Sequence, residues 1–230
     1  MKRLVFILFA VALVSEATIN ASAQESRQVS GFTAVASAGP FNVHIKMDGN
    51  ESVKVDADAD IINDIETVVE GSTLKIRFKD HEWRHHNIHK AEVYVEAKSL
   101  NSLTNSGSGS IQVDGTISAG DFKAVLSGSG NISTAVKAEN VHSVISGSGS
   151  IKLSGSTGEG DFVVTGSGEI EGKDLKASSV VATITGSGNI YVEADKSVVG
   201  RITGSGSVIY SGNASVTSHT TGSGRVTKED

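Results

Sequence analysis

Apolar side chains in the second half of the chain recur at even intervals that do not fit a helix. Stretches such as Val180, Ala182 and Ile184 alternate with polar residues, which is the period of a strand with one buried face. A β-branched aliphatic also returns once in each of seven intervals, at Ile111, Ile132, Ile151, Ile170, Ile190, Val208 and Val226. This pattern predicts serial short strands whose apolar residues form one column.

A Gly-Ser-Gly triplet stands just before each of these aliphatic residues. The copies begin at Gly107, Gly128, Gly147, Gly166, Gly186, Gly204 and Gly222, so successive copies start 18 to 21 residues apart. Glycine at both outer positions suits a corner whose backbone a Cβ would forbid, while the middle serine can point outward. Repeats of about 20 residues are typical of solenoids. We therefore predict an all-β, right-handed parallel β-helix with turns of about 19 residues.

Two more columns of similar residues lie just before the triplet. The position two residues before it is aliphatic at Leu126, Ile145, Val164, Ile184 and Ile202, but Asn105 and Thr220 occupy it in the first and last copies. The position directly before the triplet always carries a hydroxyl, at Ser106, Ser127, Ser146, Thr165, Thr185, Thr203 and Thr221. Aliphatic columns that persist in register argue against the disordered linker that Ser/Gly-rich sequence otherwise suggests.

Residues 24–100 lack the triplet, and we predict that they form a β-rich region capping the repeat solenoid of residues 101–230. Asp48-Gly49-Asn50 predicts a hairpin between strands at 43–47 and 52–56. A brief helical turn is expected near Ile61 and Ile62. The remaining predicted elements are a hairpin of 65–70 with 74–78 and a last strand at 91–97, whose Glu92, Tyr94 and Glu96 face water.

The first 23 residues have the pattern of a secretory signal peptide. Lys2 and Arg3 precede an apolar run over 4–14, and Ala21-Ser22-Ala23 predicts cleavage before Gln24. Eleven apolar residues are too few to span a bilayer, so a retained membrane anchor is the weaker alternative, and no later segment is apolar enough to span. We therefore expect export to the periplasm, the outer-membrane surface or the extracellular space.

Cysteine content and net charge exclude several classes of modification and partner. The chain contains no cysteine, so it has neither a disulfide nor the lipidated cysteine of a bacterial lipoprotein. Its net charge is -6, and removal of Lys2, Arg3 and Glu16 with the signal peptide makes it -7. This charge argues against nucleic acid or an anionic membrane as partner. No triplet continues into a phosphate-binding motif and none carries the aspartate of calcium-binding repeats, so we expect no cofactor.

Several segments together resemble the putative auto-transporter adhesin head GIN domain family, DUF2807. They are Val29-Ser30-Gly31-Phe32, the run 39–43, Ile65-Glu66, the run 71–76 and the serial Gly-Ser-Gly-x-Ile turns. The resemblance covers nearly all of the chain after the signal peptide. It implies a bacterial exported β-helix of the kind common in Bacteroidetes. It brings no catalytic residues, and its name suggests adhesion.

A histidine cluster lies between the predicted strands at 74–78 and 91–97. His81, His85, His86 and His89 occur within nine residues, and residues 81–85 match the zinc-peptidase pattern H-E-x-x-H. That chemistry requires a helix so that both histidines share one face, whereas this segment joins two strands. We therefore expect no peptidase. A surface site for a transition metal at these four residues stays open beside a simple solvated loop.

Candidate catalytic groups are sparse in the repeat region. Its carboxylates, Asp121, Glu139, Glu159, Asp161, Glu169, Glu171, Asp174, Glu193 and Asp195, stand at scattered places within the repeat. A glycosidase needs a carboxylate pair at fixed separation. Among the aromatics, Phe122 and Phe162 fit core columns, and Tyr191 is the candidate exposed ligand contact.

We therefore expect a non-enzymatic exported cell-envelope protein, an adhesin or interaction module that presents a rigid surface to a glycan or a surface protein. A secreted carbohydrate-binding or carbohydrate-active β-helix protein is the alternative. Glycan binding without bond cleavage would favour the first hypothesis, and binding with turnover would favour the second.

Replacing Ile151 by Asp tests the aliphatic column. If Ile151 faces inward, the change buries a carboxylate without a partner and should unfold the solenoid cooperatively. Circular dichroism melts measure the effect, with Ser148→Asp in the neighbouring triplet as a solvent-facing control. A melt of Ile151→Asp that matches the wild type would show that the column does not face inward.

Overall fold

The computed structural model describes residues 22–79 and 88–229, which form a β-solenoid of about seven turns. This confirms the predicted fold class. The strands are β1 (Ser22–Arg27), β2 (Ala34–Ala38), β3 (Asn42–Met47), β4 (Ser52–Asp58), β5 (Ile65–Glu70), β6 (Thr73–Phe78), β7 (Ala91–Ala97), β8 (Ser102–Gly107), β9 (Ser110–Gly128), β10 (Asn131–Gly147), β11 (Ser150–Gly166), β12 (Glu169–Gly186), β13 (Asn189–Gly204), β14 (Ser207–Ser211), β15 (Ser215–Gly222) and β16 (Arg225–Lys228). A 3-10 helix, η1, covers Ile62–Asp64 and matches the predicted helical turn.

Strands β9 to β13 are long because each one bends around corners and makes most of a solenoid turn. Their parallel register places like residues over like, for example Ile132 over Ile151 and Ile151 over Ile170. The column that follows the triplet is buried from Ile111 to Val208, and Ile151 is 0% exposed. Phe122 and Phe162 are also buried, as predicted. The interior is therefore a dry aliphatic core shared by successive turns.

The paired strands form one continuous sheet that bends at the corners of each turn, and we name two of its runs the front sheet and the back sheet. The front sheet has the strand order β1-β4-β7-β3, followed by the first parts of β9 to β13 and then β14 and β16. The back sheet runs β5-β6-β2-β8, followed by the last parts of β9 to β13 and then β15. Inward side chains alternate with outward ones in both sheets, so each sheet has one outer face available to partners.

The glycine triplets form the corner that leads from the back sheet to the front sheet. Gly147, the first residue of its triplet, has φ +133°, a region that a side chain disfavours. Gly149, the third residue, lies so close to the turn below that a Cβ would sit 2.2 Å from the Gly130 carbonyl oxygen. The middle residue, Ser148, is exposed as predicted. The corner thus allows adjacent turns to approach to strand spacing.

Asn105 occupies the position two residues before the first triplet, where later repeats have an aliphatic residue. The N–H groups of its side-chain amide are hydrogen-bonded. Its side chain is fully buried, and Nδ2 donates a hydrogen bond to the Gly109 carbonyl oxygen at 2.8 Å. The side chain therefore braces the corner that follows it, where later copies have Leu126 or Ile145 in the same register.

The hairpin predicted between 43–47 and 52–56 is wrong. Both strands form, and Gly49 turns with φ +87°, but β7 lies between them, parallel to β3 and antiparallel to β4. The four residues after Met47 can bridge the resulting gap of two strand spacings, about 10 Å. This arrangement inserts Val93 and Val95 into the core beside Val43 and Ile45. By contrast, β5 and β6 do pair as the predicted hairpin.

Parallel stacking starts before the repeats do. β3 pairs in parallel with the start of β9, and β2 pairs in parallel with both β6 and β8. Antiparallel strands β1, β4 and β5 lie at the ends of the two sheets in this region. The prediction that residues 24–100 act as a cap remains a prediction.

The predicted signal peptide lies almost wholly outside the described residues, which begin at Ser22. Within the described ranges, the structure contains no helix that is long and apolar enough to cross a membrane.

Gly149→Ala should destabilise the solenoid by about 2 kcal/mol, because the added Cβ collides with the backbone of the turn below. Ser148→Ala, one residue away and exposed, should change the free energy of unfolding by less than about 0.5 kcal/mol. Chemical denaturation followed by circular dichroism measures both. Equal stability of the two variants would contradict the close approach of adjacent turns.

Candidate binding face

The outer face of the front sheet carries a continuous row of side chains, one from each of the seven adjacent strands from β7 to β13. Six parallel pairings place seven positions side by side across it. This front row consists of Tyr94, His44, Gln112, Ser133, Lys152, Glu171 and Tyr191. The neighbours of each member along its strand point to the core, for example Ile190 and Val192 on either side of Tyr191.

An adjoining row runs two residues before the front row and is built mostly from short polar side chains. It consists of Glu92, Asn42, Ser110, Asn131, Ser150, Glu169 and Asn189. Five of the seven come directly after a glycine triplet, so the repeat itself delivers a hydroxyl, amide or carboxylate to this row at every turn. The middle of the face is therefore flat and rich in hydrogen-bonding groups.

An aromatic platform stands at one end of the front row. The rings of Tyr94 and His44 stack with centroids 5.1 Å apart and an angle of 19° between their planes. Tyr94 is 43% exposed, and the His44 side chain is 42% exposed. Stacked rings on adjacent strands give a broad apolar surface that keeps polar tips in water.

Glu92 holds the platform in place. Its Oε2 lies 2.6 Å from His44 Nε2, and its Oε1 accepts a hydrogen bond from Asn42 Nδ2 at 2.9 Å. Ser110 Oγ in turn donates to Asn42 Oδ1 at 2.9 Å. Both oxygens of the carboxylate are thus engaged by side chains of β3, so the His44 ring is oriented before any ligand arrives.

A cleft of about 500 Å³ opens beside the platform. Its polar lining includes Ser26, Lys54, Glu96, Gln112 and Asp114. Sites for small ligands typically enclose about 300–1,000 Å³ and combine apolar walls with a few placed polar groups. The cleft therefore has the size and chemistry to hold one or a few rings of a polar ligand.

A buried carboxylate fixes strand β1, which forms one wall of the cleft. Asp56 is 4% exposed, and its Oδ2 accepts a hydrogen bond from Gln24 Nε2 at 2.8 Å. Lys90 Nζ lies 2.8 Å from Asp56 Oδ1. This bond to Lys90, with smaller help from Gln24, lowers the pKa of Asp56, and Asp56 in turn raises the pKa of Lys90.

Tyr191 marks the other end of the front row. It is half-buried rather than freely exposed, and Lys173 Nζ lies 4.8 Å from the centre of its ring. Lys173 is hydrogen-bonded to Glu229, which raises the pKa of Lys173. A second concavity of about 470 Å³ surrounds this tyrosine and is lined by Lys152, Glu169, Glu171, Lys173 and Asp174.

The structure brings little of the histidine cluster into view, because His81, His85 and His86 lie outside the described residues. His89 is described: its side chain is exposed, and its backbone N–H donates to Asp58 Oδ2 at 2.7 Å. Across residues 22–79 and 88–229, no group of three or more histidine, aspartate or glutamate side chains could hold a metal ion. The metal site remains a hypothesis.

The nine candidate catalytic carboxylates of the repeat region are all partly or fully exposed. Two of them have side-chain partners on the back sheet, where Asp121 accepts from Asn140 and Asp161 lies 3.0 Å from His142 Nδ1. On the front sheet, Glu171 accepts a weak bond of 3.4 Å from Ser150. These contacts are the ordinary pairings of surface residues on adjacent turns.

Sequence analysis missed the platform. Alternation along β7 placed Tyr94 on the wet face, but no partner was predicted for β7, and the hairpin predicted for the strand of His44 is wrong. The signal that was available was an aromatic residue at an outward position between two core valines.

The fold and this face define a class, a parallel β-solenoid that displays a regularly spaced polar face with an aromatic cleft. The chain belongs to the DUF2807 family, described as putative auto-transporter adhesin, head GIN domain, whose model matches residues 31–214. This confirms the resemblance seen in the sequence. No curated protein matches the chain significantly.

Solved structures share the fold at low identity. A putative adhesin from Bacteroides fragilis is 20% identical with a TM-score of 0.85, covering 92% of this chain and 98% of its own. A putative adhesin from Parabacteroides distasonis is 22% identical with a TM-score of 0.74, covering 91% and 98%. A putative lipid binding protein from the same species is 23% identical with a TM-score of 0.73, covering 91% and 97%. These likenesses support the fold alone.

Acid should weaken the anchoring of β1. The lowered pKa of Asp56 means that its contribution to stability is present above the ordinary aspartate pKa of about 4 and is lost as pH falls through the lower folded value. Asp56→Asn should therefore melt below the wild type at pH 7, and the gap should close in strong acid. Exposed Asp195→Asn is the control, and a pH-independent gap would contradict this account.

Proposed function

We propose that the protein is an exported adhesion module of the cell envelope that binds its partner, without chemical turnover, through the outer face of the front sheet. The preformed His44–Tyr94 platform, set in a cleft on a flat polar face, is the observation that carries this proposal. Membership of a family described as putative adhesins supports it.

The rigidity of the face favours a binding role. Its side chains project from strands whose backbone groups are already paired on both sides, so little conformational entropy remains to be lost on binding. Glu92 keeps the His44 ring oriented, which further reduces that cost. Less of the free energy of interaction with the partner is therefore offset by the cost of ordering the site.

Two acids beside the platform, Glu92 and Glu96, are placed for binding and not for catalysis. Glu92 is engaged by Asn42 and His44, and Glu96 accepts a hydrogen bond from Ser52 Oγ at 2.9 Å. A glycosidase needs one carboxyl group to donate a proton and a second to attack or activate water. Carboxylates that are committed to neighbouring strands are poorly suited to either role.

Export fits the same proposal. The predicted signal peptide over residues 1–23 would deliver the solenoid out of the cytoplasm, and the absence of cysteine fits a protein whose stability depends on stacked strands alone. We place the protein in the periplasm, at the outer-membrane surface or outside the cell.

Tyr94→Ala tests the platform. Purified full-length protein should bind saturably to at least one immobilised component of a panel of envelope polysaccharides, mucins and matrix proteins, measured by biolayer interferometry. The variant should lose about tenfold or more in affinity, as expected when the aromatic anchor of a contact is truncated. His142→Ala, a change of a comparably exposed side chain on the back sheet, should bind like the wild type.

The bound component should be recovered intact, without new chain ends. If Tyr94→Ala bound with the affinity of the wild type, or if cleaved product were released, the proposed function would be contradicted.

A further inference from the structure

The two tyrosines of the front row lie on one line. The strand order between them is β7-β3-β9-β10-β11-β12-β13, which is six strand steps, and the register runs unbroken from Tyr94 to Tyr191. At about 4.8 Å a step, they stand roughly 29 Å apart on the same face. Each lies in its own concavity, of about 500 Å³ and 470 Å³ respectively.

Between them, the front row offers one polar side chain at every strand step, with hydroxyl, amide and carboxylate groups alongside in the adjoining row. This spacing suits a linear partner whose own chemistry repeats along its length. Such a partner would meet similar groups at each step.

We propose that the front row is a binding track for a neutral, linear polysaccharide, with the His44–Tyr94 platform at one end and Tyr191 at the other. This inference rests on the proposed function and names its ligand class. A sugar ring would stack its apolar face on Tyr94, and its hydroxyls would bond to side chains such as Gln112 and Ser133.

Charge balance on the face favours a neutral polymer. The lysines near the row have acidic neighbours: Lys152 Nζ lies 3.9 Å from Glu171, Lys46 lies 3.6 Å from Asp48, and Lys173 is bonded to Glu229. Lys54 interacts electrostatically with Asp56. Together the two rows carry Glu92, Glu169 and Glu171 against Lys152 and His44, so a strongly anionic polymer would find no excess of positive charge and a cationic one only a small acidic excess.

A glycan fits this face better than a protein does. Peptides that add to a sheet use the free backbone groups of an edge strand, whereas the track crosses strands that are already paired. Protein interfaces also bury an apolar core. Among the described residues, the exposed large hydrophobic side chains are Tyr94 and Val216, and Val216 lies on the back sheet.

Lys173 gives the Tyr191 end a different character from the platform. The ammonium covers one face of the ring at 4.8 Å, so a sugar would meet the opposite face and the phenol hydroxyl. Tyr191 should therefore be a secondary contact, used only by a chain long enough to reach it from the platform.

The experiment uses the full-length protein and soluble neutral xylan, mannan and glucan, with alginate and chitosan as charged comparisons. A size series of the neutral polymer that binds is then titrated by calorimetry. Affinity should rise steeply, on the order of 10²-fold or more, once the oligomer can span roughly 29 Å, because the second contact becomes intramolecular.

Variants separate the two ends of the track. Tyr94→Ala should weaken short and long oligomers alike by about tenfold or more, and Tyr94→Phe should keep most of the binding. Tyr191→Ala should remove most of the gain of long oligomers, on the order of 10²-fold, and leave short ones unchanged. His142→Ala on the back sheet is the control, and unchanged melting temperatures should exclude misfolding.

Affinity that does not depend on length, or long-oligomer binding that is insensitive to Tyr191→Ala, would overturn the track while leaving an adhesion site at Tyr94. Preference for alginate or chitosan, or Tyr94-dependent binding to protein alone, would overturn the ligand class. If Tyr94→Ala changed the affinity for none of the probes that bind, the proposed function itself would be overturned.

Discussion

The close parallel stacking of identical turns is the constraint on which the rest of the structure depends. Strands can pair at about 4.8 Å only if every corner also stacks at that distance, and a corner residue with a Cβ would strike the carbonyl of the turn below, as at Gly149 above Gly130. The glycine triplet removes that obstacle at each turn. Once corners stack, the aliphatic columns and the outer rows follow from register alone.

The outer face inherits its order from this stacking. A position that faces solvent in one turn faces solvent in the next, so the row from Tyr94 to Tyr191 arises without any long-range design of individual contacts. The platform differs because Glu92, Asn42 and His44 come from the non-repeating strands β7 and β3. The candidate binding face therefore combines regularly repeated positions with an irregular end whose side chains are specifically hydrogen-bonded.

Sequence predicted the repeat region well because its units are alike. Seven triplets in register determine which residues face inward, and Ile151, Phe122 and Phe162 are buried accordingly. It failed for the hairpin after Met47, since turn chemistry is local while the insertion of β7 depends on a strand more than 40 residues later. The same failure hid the site: Tyr94 could be placed on a wet face, but its contact with His44 could not be derived. The register placed Tyr191 on the outer face, but it did not predict that Lys173 lies over the ring, and the role of Tyr191 as a ligand contact stays a prediction.

Each turn packs mainly against its two neighbours, so equivalent positions on successive turns are separated by a constant strand spacing. Inserting or deleting one whole repeat between β9 and β13 would change the separation of Tyr94 and Tyr191 by one strand spacing and leave the surroundings of both intact. On the proposed track, such a change would alter the length of polymer that reaches both tyrosines, with no redesign of either contact.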